Sequence, residues 1–151
     1  MVSPFLIFIR ALLISGLAYF FYGRSKMRVM NTISAHASKE LVLGLLRALN
    51  DHDYREARNY LHPDFRFKGL PGPGEGAENY LADMEKLQLE YSIRKVFAEG
   101  NDVCVLYDLI FRDKLIFCCG WYQLGNGKIS RLREIFDSAP LLQKSRARES
   151  D

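Results

Sequence analysis

The 151-residue sequence contains few cysteines, and their spacing matches no metal site. Cys104, Cys118 and Cys119 form an odd-numbered set inside apolar runs, without a Cys-x-x-Cys motif or a Cys/His ligand spacing. We therefore expect buried thiols in a reducing compartment, no metal and no cofactor. No Ser-His-Asp or Cys-His set can be proposed either.

Excess basic charge is absent from the central part of the chain. Residues 34–139 contain 14 basic and 16 acidic residues, whereas residues 1–33 contain four basic residues and no acid. A nucleic-acid-binding protein would place its basic patch in the folded part, so the sequence argues against nucleic acid as a partner. Five prolines and eleven glycines are too few for a low-complexity chain, and 48% hydrophobic residues suffice for one domain with a core.

The longest apolar run lies near the start of the chain. Residues 5–22 are interrupted by Arg10, Ser15 and Gly16, and as a helix they would extend about 27 Å, just enough for a bilayer. The basic residues that follow would keep the downstream domain in the cytoplasm. A membrane anchor is the leading interpretation. A translation start that really lies at Met27 or Met30, and a cleaved signal peptide, are the alternatives.

Two helices are predicted at the start of the folded part. Ser38 is a candidate N-cap for a helix running to about His52, with apolar residues at helical spacing. Asp53 followed by Glu56 forms a variant capping box for a second, shorter helix. Pro63 disfavours helical geometry in the residue before it and ends that helix.

The rest of the chain predicts one more helix and five strands. A short strand at 65–67 precedes a Gly/Pro-rich loop at 69–76, which lacks the Gly-Lys-Ser/Thr ending of a phosphate-binding loop. A third helix follows, and then the period changes to two. Arg112-Asp113-Lys114 is a tight turn between two apolar strands. The four last strands are predicted at 89–97, 103–111, 115–124 and 129–137.

This element order predicts an α+β fold, ααβαββββ. Short turns make neighbouring strands antiparallel, so we expect a curved, cone-shaped antiparallel sheet packed on three N-terminal helices. The predicted organisation is an apolar segment and linker over 1–33, a single domain over 34–139 and a charged C-terminal tail over 140–151.

Two stretches of sequence are distinctive: Leu61-His62-Pro63-Asp64-Phe65 after the second helix, and the closing hairpin, which ends in Arg133-Glu134-Ile135-Phe136-Asp137. Together with the element order, they resemble the SnoaL-like branch of the nuclear transport factor 2-like superfamily, which includes ketosteroid isomerase and limonene epoxide hydrolase. The resemblance covers about residues 34–141. It implies a cone whose interior holds a small, mostly apolar ligand and whose outer sheet face dimerises.

The catalytic residues of these relatives correspond to this sequence only in part. The position of the ketosteroid isomerase general base corresponds to Lys68, which cannot replace an aspartate. The two acids of limonene epoxide hydrolase correspond to Asp108 and Glu134, whereas its arginine corresponds to Leu106. The resemblance therefore implies a related pocket without the complete apparatus of either enzyme.

Strand alternation predicts two carboxyls in one pocket. If Asp108 faces inward on its strand, it shares the interior with Glu134, and the pair could act as acid and base on a hydrophobic substrate. Salt bridges with Arg112, Arg131 or Arg133 at the mouth of the cone are the alternative. The residues predicted to line the pocket are Phe65, Phe67, Leu106, Ile110, Ile116, Cys118, Tyr122, Leu132 and Phe136.

The opposite alternation leaves a second apolar face, which we predict to form a homodimer. Its central residues are predicted to be Tyr107, Phe117 and Trp121. The leading functional prediction is a domain that binds a small hydrophobic molecule, with acid–base isomerase, cyclase or hydrolase-like activity. The alternative is a non-catalytic interaction or scaffold module of the same fold, tethered to a membrane through residues 5–22.

Overall fold

The computed structural model describes residues 34–142. Residues 34–50 form helix α1, and none of the helices in the described range is long and apolar enough to cross a membrane. The anchor predicted at 5–22 lies outside that range. The further elements are α2 (Tyr54–Tyr60), β1 (Leu61–Gly69), β2 (Gly72–Glu75), α3 (Ala77–Leu87), β3 (Glu90–Glu99), β4 (Asp102–Phe111), β5 (Lys114–Gly125), β6 (Lys128–Phe136) and α4 (Ala139–Leu142).

The first two helices differ in how their ends are fixed. Asp53 caps α2 as predicted, because its carboxylate accepts a 2.8 Å hydrogen bond from the backbone N–H of Glu56. Ser38 does not cap α1, because the helix already includes residue 34 and Ser38 is buried within it. At the other end of α1, the side-chain amide of Asn50 exchanges hydrogen bonds of 2.8 and 2.9 Å with the backbone of Tyr91. This pair joins α1 to β3.

The six strands form one curved, mixed sheet in the order β2-β1-β6-β5-β4-β3. β1 and β6 pair in parallel, and every other neighbouring pair is antiparallel. Buried residues of α1, α2 and α3 share one hydrophobic cluster with residues from one face of the sheet, which we call the inner face. The predicted α+β class is confirmed. The sheet is mixed rather than wholly antiparallel, and it has one strand more than predicted.

The additional strand is β2, within the segment that was predicted to be a loop. It pairs antiparallel with β1, and Pro73 is tolerated there because β2 is the edge of the sheet. Gly74 lies against the ring of Phe67, where an added Cβ would come within 2.8 Å of the Phe67 ring atom Cε1. Glycine and proline are rare in strands, and therefore the local sequence concealed this one.

Two-residue turns set the register of the last three strands. Arg112 and Asp113 connect β4 to β5 with φ angles of 49° and 64°, so that Phe111 pairs with Lys114. Positive φ at both central residues is typical of the type I′ hairpin turn. The predicted turn Arg112-Asp113-Lys114 is one residue too long. A one-residue shift moves every side chain of β4 to the other face of the sheet.

The register therefore reverses the predicted faces of β4. Tyr107 and Leu109, predicted on the outer face, are fully buried on the inner face opposite Cys118 and Ile116 of β5. Ile129 is also buried rather than outward, because a bulge near the start of β6 changes its register with β5.

Candidate active site

Glu134 is the carboxylate that β6 directs toward the interior. It lies opposite Gly120 of β5. The hydroxyl of Tyr107 donates a hydrogen bond to its Oε1, and the backbone N–H of Leu70 donates one of 2.9 Å to its Oε2. The side chain is therefore held between the centre of the sheet and the turn that joins β1 to β2.

Two glycines leave the space that this arrangement requires. A Cβ added to Gly69 would lie 2.8 Å from the Cβ of Glu134. A Cβ added to Gly120 would lie 2.8 Å from the ring of Tyr122 and 3.1 Å from the hydroxyl of Tyr107. The two distances of 2.8 Å are too short for real carbon contacts and the third is tight, so a larger residue at either position would displace the carboxylate or the phenols.

Four tyrosines from four different elements surround Glu134. Tyr80 comes from α3, Tyr91 from β3, Tyr107 from β4 and Tyr122 from β5, and none is more than 8% exposed. The rings of Tyr91 and Tyr107 meet edge to face at a centroid distance of 5.4 Å. The Tyr91 hydroxyl donates a 3.3 Å hydrogen bond to the sulfur of Met84, which is a weak acceptor.

Burial is the main cause of a raised pKa in all four of these phenols, and the negative charge of Glu134 contributes to each. The same two causes, burial first, raise the pKa of the Cys118 thiol to about 12. At neutral pH these groups are therefore protonated hydrogen-bond donors. None of the four phenols can act as a base there.

A small cavity adjoins Glu134 under the β1–β2 turn. Its volume is about 10 Å³, which is room for about one water-sized molecule. A ligand larger than water does not fit this cavity unless its lining moves. The lining residues are Phe67, Lys68, Gly69, Pro71, Tyr80, Met84, Leu89, Tyr91, Leu132 and Glu134.

The predicted pairing of Asp108 with Glu134 is wrong, because the two carboxylates lie on opposite faces of the sheet. Asp108 is 8% exposed on the outer face, opposite Phe117. It forms a salt bridge of 2.6 Å with the Nε of Arg94 on β3. Asp108 therefore forms a salt bridge, the predicted alternative, but its partner is Arg94 rather than Arg112, Arg131 or Arg133.

The same reversal removes two residues from the predicted lining. Leu106 and Ile110 share the outer face with Asp108, because side chains alternate along a strand. Tyr107 was missed as a site residue, and a two-residue count for the Arg112-Asp113 turn would have found it. The remaining predicted residues lie on the inner face: Phe65, Phe67, Ile116, Cys118, Tyr122, Leu132 and Phe136.

The outer face carries a group of exposed apolar residues, as predicted, but the residues that form it differ from the prediction. Tyr107 is not part of it. Six large apolar side chains there are 40–75% exposed, and we call them the outer apolar patch: Phe97, Ile110, Leu115, Phe117, Trp121 and Ile135.

Comparison with known proteins places the chain in a family. The SnoaL-like domain family matches residues 42–132. The crystal structure of an NTF2-like protein of unknown function from Cytophaga hutchinsonii ATCC 33406 superposes with a TM-score of 0.67 at 40% sequence identity, covering 70% of this chain and 95% of that chain. The chain belongs to the SnoaL-like domain family, within the NTF2-like proteins.

More distant structures share the fold. An LEH-like epoxide hydrolase from M. tuberculosis has a TM-score of 0.60 at 20% identity, covering 68% of this chain and 84% of that chain. An NTF2-like protein from Burkholderia xenovorans LB400 has a TM-score of 0.60 at 15% identity, covering 72% and 95%. No curated protein matches the sequence.

Proposed function

We propose that the chain binds a small hydrophobic molecule beside Glu134 and moves a proton on it by acid–base chemistry. The observation that carries the proposal is the environment of Glu134. Among residues 34–142, Glu134 supplies the carboxylate on the inner face of the sheet. Its hydrogen-bond partners are the phenol of Tyr107 and the backbone amide of Leu70, and neither is a cation. A carboxylate whose charge is not cancelled by an ion pair can accept a proton from a bound substrate.

The residues around the cavity suggest separate roles. Glu134 is the base that takes a proton from a carbon next to a carbonyl group. The electron pair moves to the carbonyl oxygen, where the hydroxyl of Tyr91 donates a hydrogen bond in place of its contacts with the Met84 sulfur and the Tyr80 hydroxyl. Return of the proton to a different carbon completes an isomerisation. Tyr107 holds and orients Glu134 throughout.

Ligand entry needs a movement of the β1–β2 turn. The Leu70 amide occupies Oε2 of Glu134, which is the oxygen nearest the cavity-lining Gly69. Displacing this turn both frees that oxygen and enlarges the cavity. The expected substrate is therefore one whose apolar surface replaces the contacts of the turn.

The test is proton exchange on a probe ketone. We would incubate the full-length chain in D₂O with cyclohex-2-enone and with a fused bicyclic enone, and follow loss of the exchangeable C–H signals by proton NMR. Glu134→Gln should lower the exchange rate by about 100-fold or more, since general-base catalysis contributes about 10²–10⁴-fold. Asp108→Asn, which removes a carboxylate from the outer face, should retain the wild-type rate. Equal exchange by wild type and Glu134→Gln would contradict the proposal.

The second candidate is a non-catalytic interaction module of the same fold. Two observations favour it: the cavity beside Glu134 holds about one water-sized molecule, and the outer apolar patch is exposed. On this alternative, neither enone binds the wild-type chain, and substitutions in the outer apolar patch change association while Glu134→Gln has no effect on it.

We also propose that the outer apolar patch forms a homodimer. Asp108 is paired with Arg94 within this face, and a second identical patch would cover the exposed apolar side chains, with charged residues such as Arg133 and Asp102 beside Trp121 at its margin. Light scattering should give a dimer at micromolar concentration, and Phe117→Lys should give a monomer. Leu142→Lys is the control, since Leu142 is 78% exposed on α4 rather than in the patch. A monomeric wild type would contradict the proposal.

A further inference from the structure

Four basic side chains meet on the outer face where β1 and β6 run in parallel. Arg66 pairs with Arg131, and Lys68 pairs with Arg133. Neighbouring strands lie about 4.8 Å apart, so each cation stands beside another across the ladder. All four line one open groove of about 420 Å³, bordered on the β2 side by Pro73, Gly74 and Glu75. We call it the basic groove.

The chain supplies little countercharge to this groove. Glu75 pairs with Arg66 at 3.2 Å between Oε1 and Nε, and both side chains are mostly exposed. Within residues 34–142, Lys68, Arg131 and Arg133 have no ion-pair partner. The sequence outside that range is itself basic, with four basic residues and no acid in 1–33, and three basic and two acidic residues in 143–151. Like charges facing each other across a sheet are destabilising, and a bound anion would relieve that repulsion.

We propose that the basic groove binds the phosphate groups of a soluble small molecule. Three of its four cations are arginines, whose planar guanidinium groups bind phosphate oxygens in pairs. A groove of this volume lies within the usual range of small-molecule sites, about 300–1,000 Å³. The four cations are clustered on two adjacent strands rather than spread along a long face, as a nucleic acid would require.

The basic groove and the interior cavity lie on opposite sides of the sheet and share Phe67, Lys68 and Leu132 in their linings. Arg66, Arg131 and Arg133 project from the outer face, whereas Glu134 projects from the inner face. Anion binding at the groove is therefore measured independently of proton transfer by Glu134. The groove adjoins the outer apolar patch, since Arg133 pairs with Trp121 across β5 and β6.

Calorimetric titration of the full-length chain with sodium pyrophosphate at low ionic strength tests the proposal. Wild type should bind one pyrophosphate saturably. The double variant Lys68→Gln, Arg131→Gln should bind at least about tenfold more weakly, because each lost cation removes charge-assisted hydrogen bonds. Glu75→Gln should bind several-fold more tightly, because it removes the one acid and releases Arg66. Arg55→Gln, which removes one positive charge at an exposed position on α2, should match wild type.

Folding of the variants is checked in the same samples. Removing like charges from the groove should leave the thermal midpoint of the double variant equal to or above that of wild type. Pyrophosphate should raise the midpoint of wild type and Arg55→Gln but not of the double variant.

Three results would overturn the proposal. One is a lack of saturable pyrophosphate binding, and another is equal affinity of the double variant and Arg55→Gln. The third result would show that the phosphate group belongs to a lipid headgroup rather than to a soluble small molecule. Binding to phosphatidylcholine vesicles that contain phosphatidic acid, lost in the double variant and unaccompanied by pyrophosphate binding, would assign the groove to a membrane lipid.

Discussion

Tyr107 and Asp108 are neighbours in sequence, yet they belong to the two opposite faces of the sheet. Tyr107 donates to Glu134 on the inner face, whereas Asp108 is bound by Arg94 on the outer face. Asp108 is the more buried of the two acids. Burial alone would therefore have selected the wrong residue. The two acids differ in the type of partner that they bind. Arg94 cancels the charge of Asp108, whereas the neutral donors around Glu134 leave its charge in place.

The largest expected difference between the faces is their response to alkali. Burial raises the pKa of Tyr80, Tyr91, Tyr107 and Tyr122 above its ordinary value of 10. Below pH 10 the phenols are protonated in both folded and unfolded chains and contribute no pH dependence. Above pH 10 the unfolded chain loses these protons first, so the free energy of unfolding should fall by about 1.4 kcal/mol per pH unit for each phenol.

Urea unfolding between pH 8 and about pH 11 measures this slope. Tyr107→Phe should reduce it by about 1.4 kcal/mol per pH unit, since one titrating group is gone. A free energy of unfolding that stays constant up to about pH 11 would show that the phenols are not confined to the interior.

A smaller difference in the free energy of unfolding is expected between substitutions at two adjacent residues of β4. Leu109 is fully buried and Ile110 is 40% exposed. Leu109→Ala should lower the free energy of unfolding by about 2–5 kcal/mol, because it leaves a cavity in the core. Ile110→Ala should cost less than about 1 kcal/mol in the monomer. Denaturant titration of Leu109→Ala and Ile110→Ala side by side measures the two losses. A larger loss for Ile110→Ala than for Leu109→Ala would show that β4 has the opposite register.

The smallest effect is expected at the salt bridge of the outer face. Arg94 is 59% exposed, so its bond to Asp108 is screened by solvent and by salt. Arg94→Gln should lower the free energy of unfolding by about 1 kcal/mol or less, and less still at high ionic strength. A loss of about 3 kcal/mol that salt does not diminish would place this pair in a dry environment instead.

The local signals of the sequence predicted most of the fold. The capping residue Asp53, the third helix, the last four strands and the hairpin at residues 125–127 are all present. The parallel pairing of β1 with β6 could not be read locally, because it joins segments that are far apart in the chain. β2 was concealed by a composition that is normally excluded from strands.

The error that mattered most for the site was the assignment of the β4 side chains to the wrong faces of the sheet. Apart from Asp108, the residues from Val103 to Phe111 are apolar at both odd and even positions. The alternation of apolar and polar residues therefore could not show which set faces inward. The length of the turn after Phe111 decided the face, and an error of one residue there exchanged Tyr107 with Asp108. On β5 and β6, by contrast, the predicted inward residues Cys118, Tyr122 and Glu134 were placed correctly.

Nuclear Overhauser contacts of the Glu134 side chain test the central claim most directly, which is that Glu134 and Tyr107 meet in the interior. In an isotope-labelled sample, contacts between the Glu134 methylene protons and the ring protons of Tyr107 are expected, with none to Asp108. Contacts from Glu134 to the side chain of Asp108, or from the Tyr107 ring to Phe117, would contradict the assignment of the two faces.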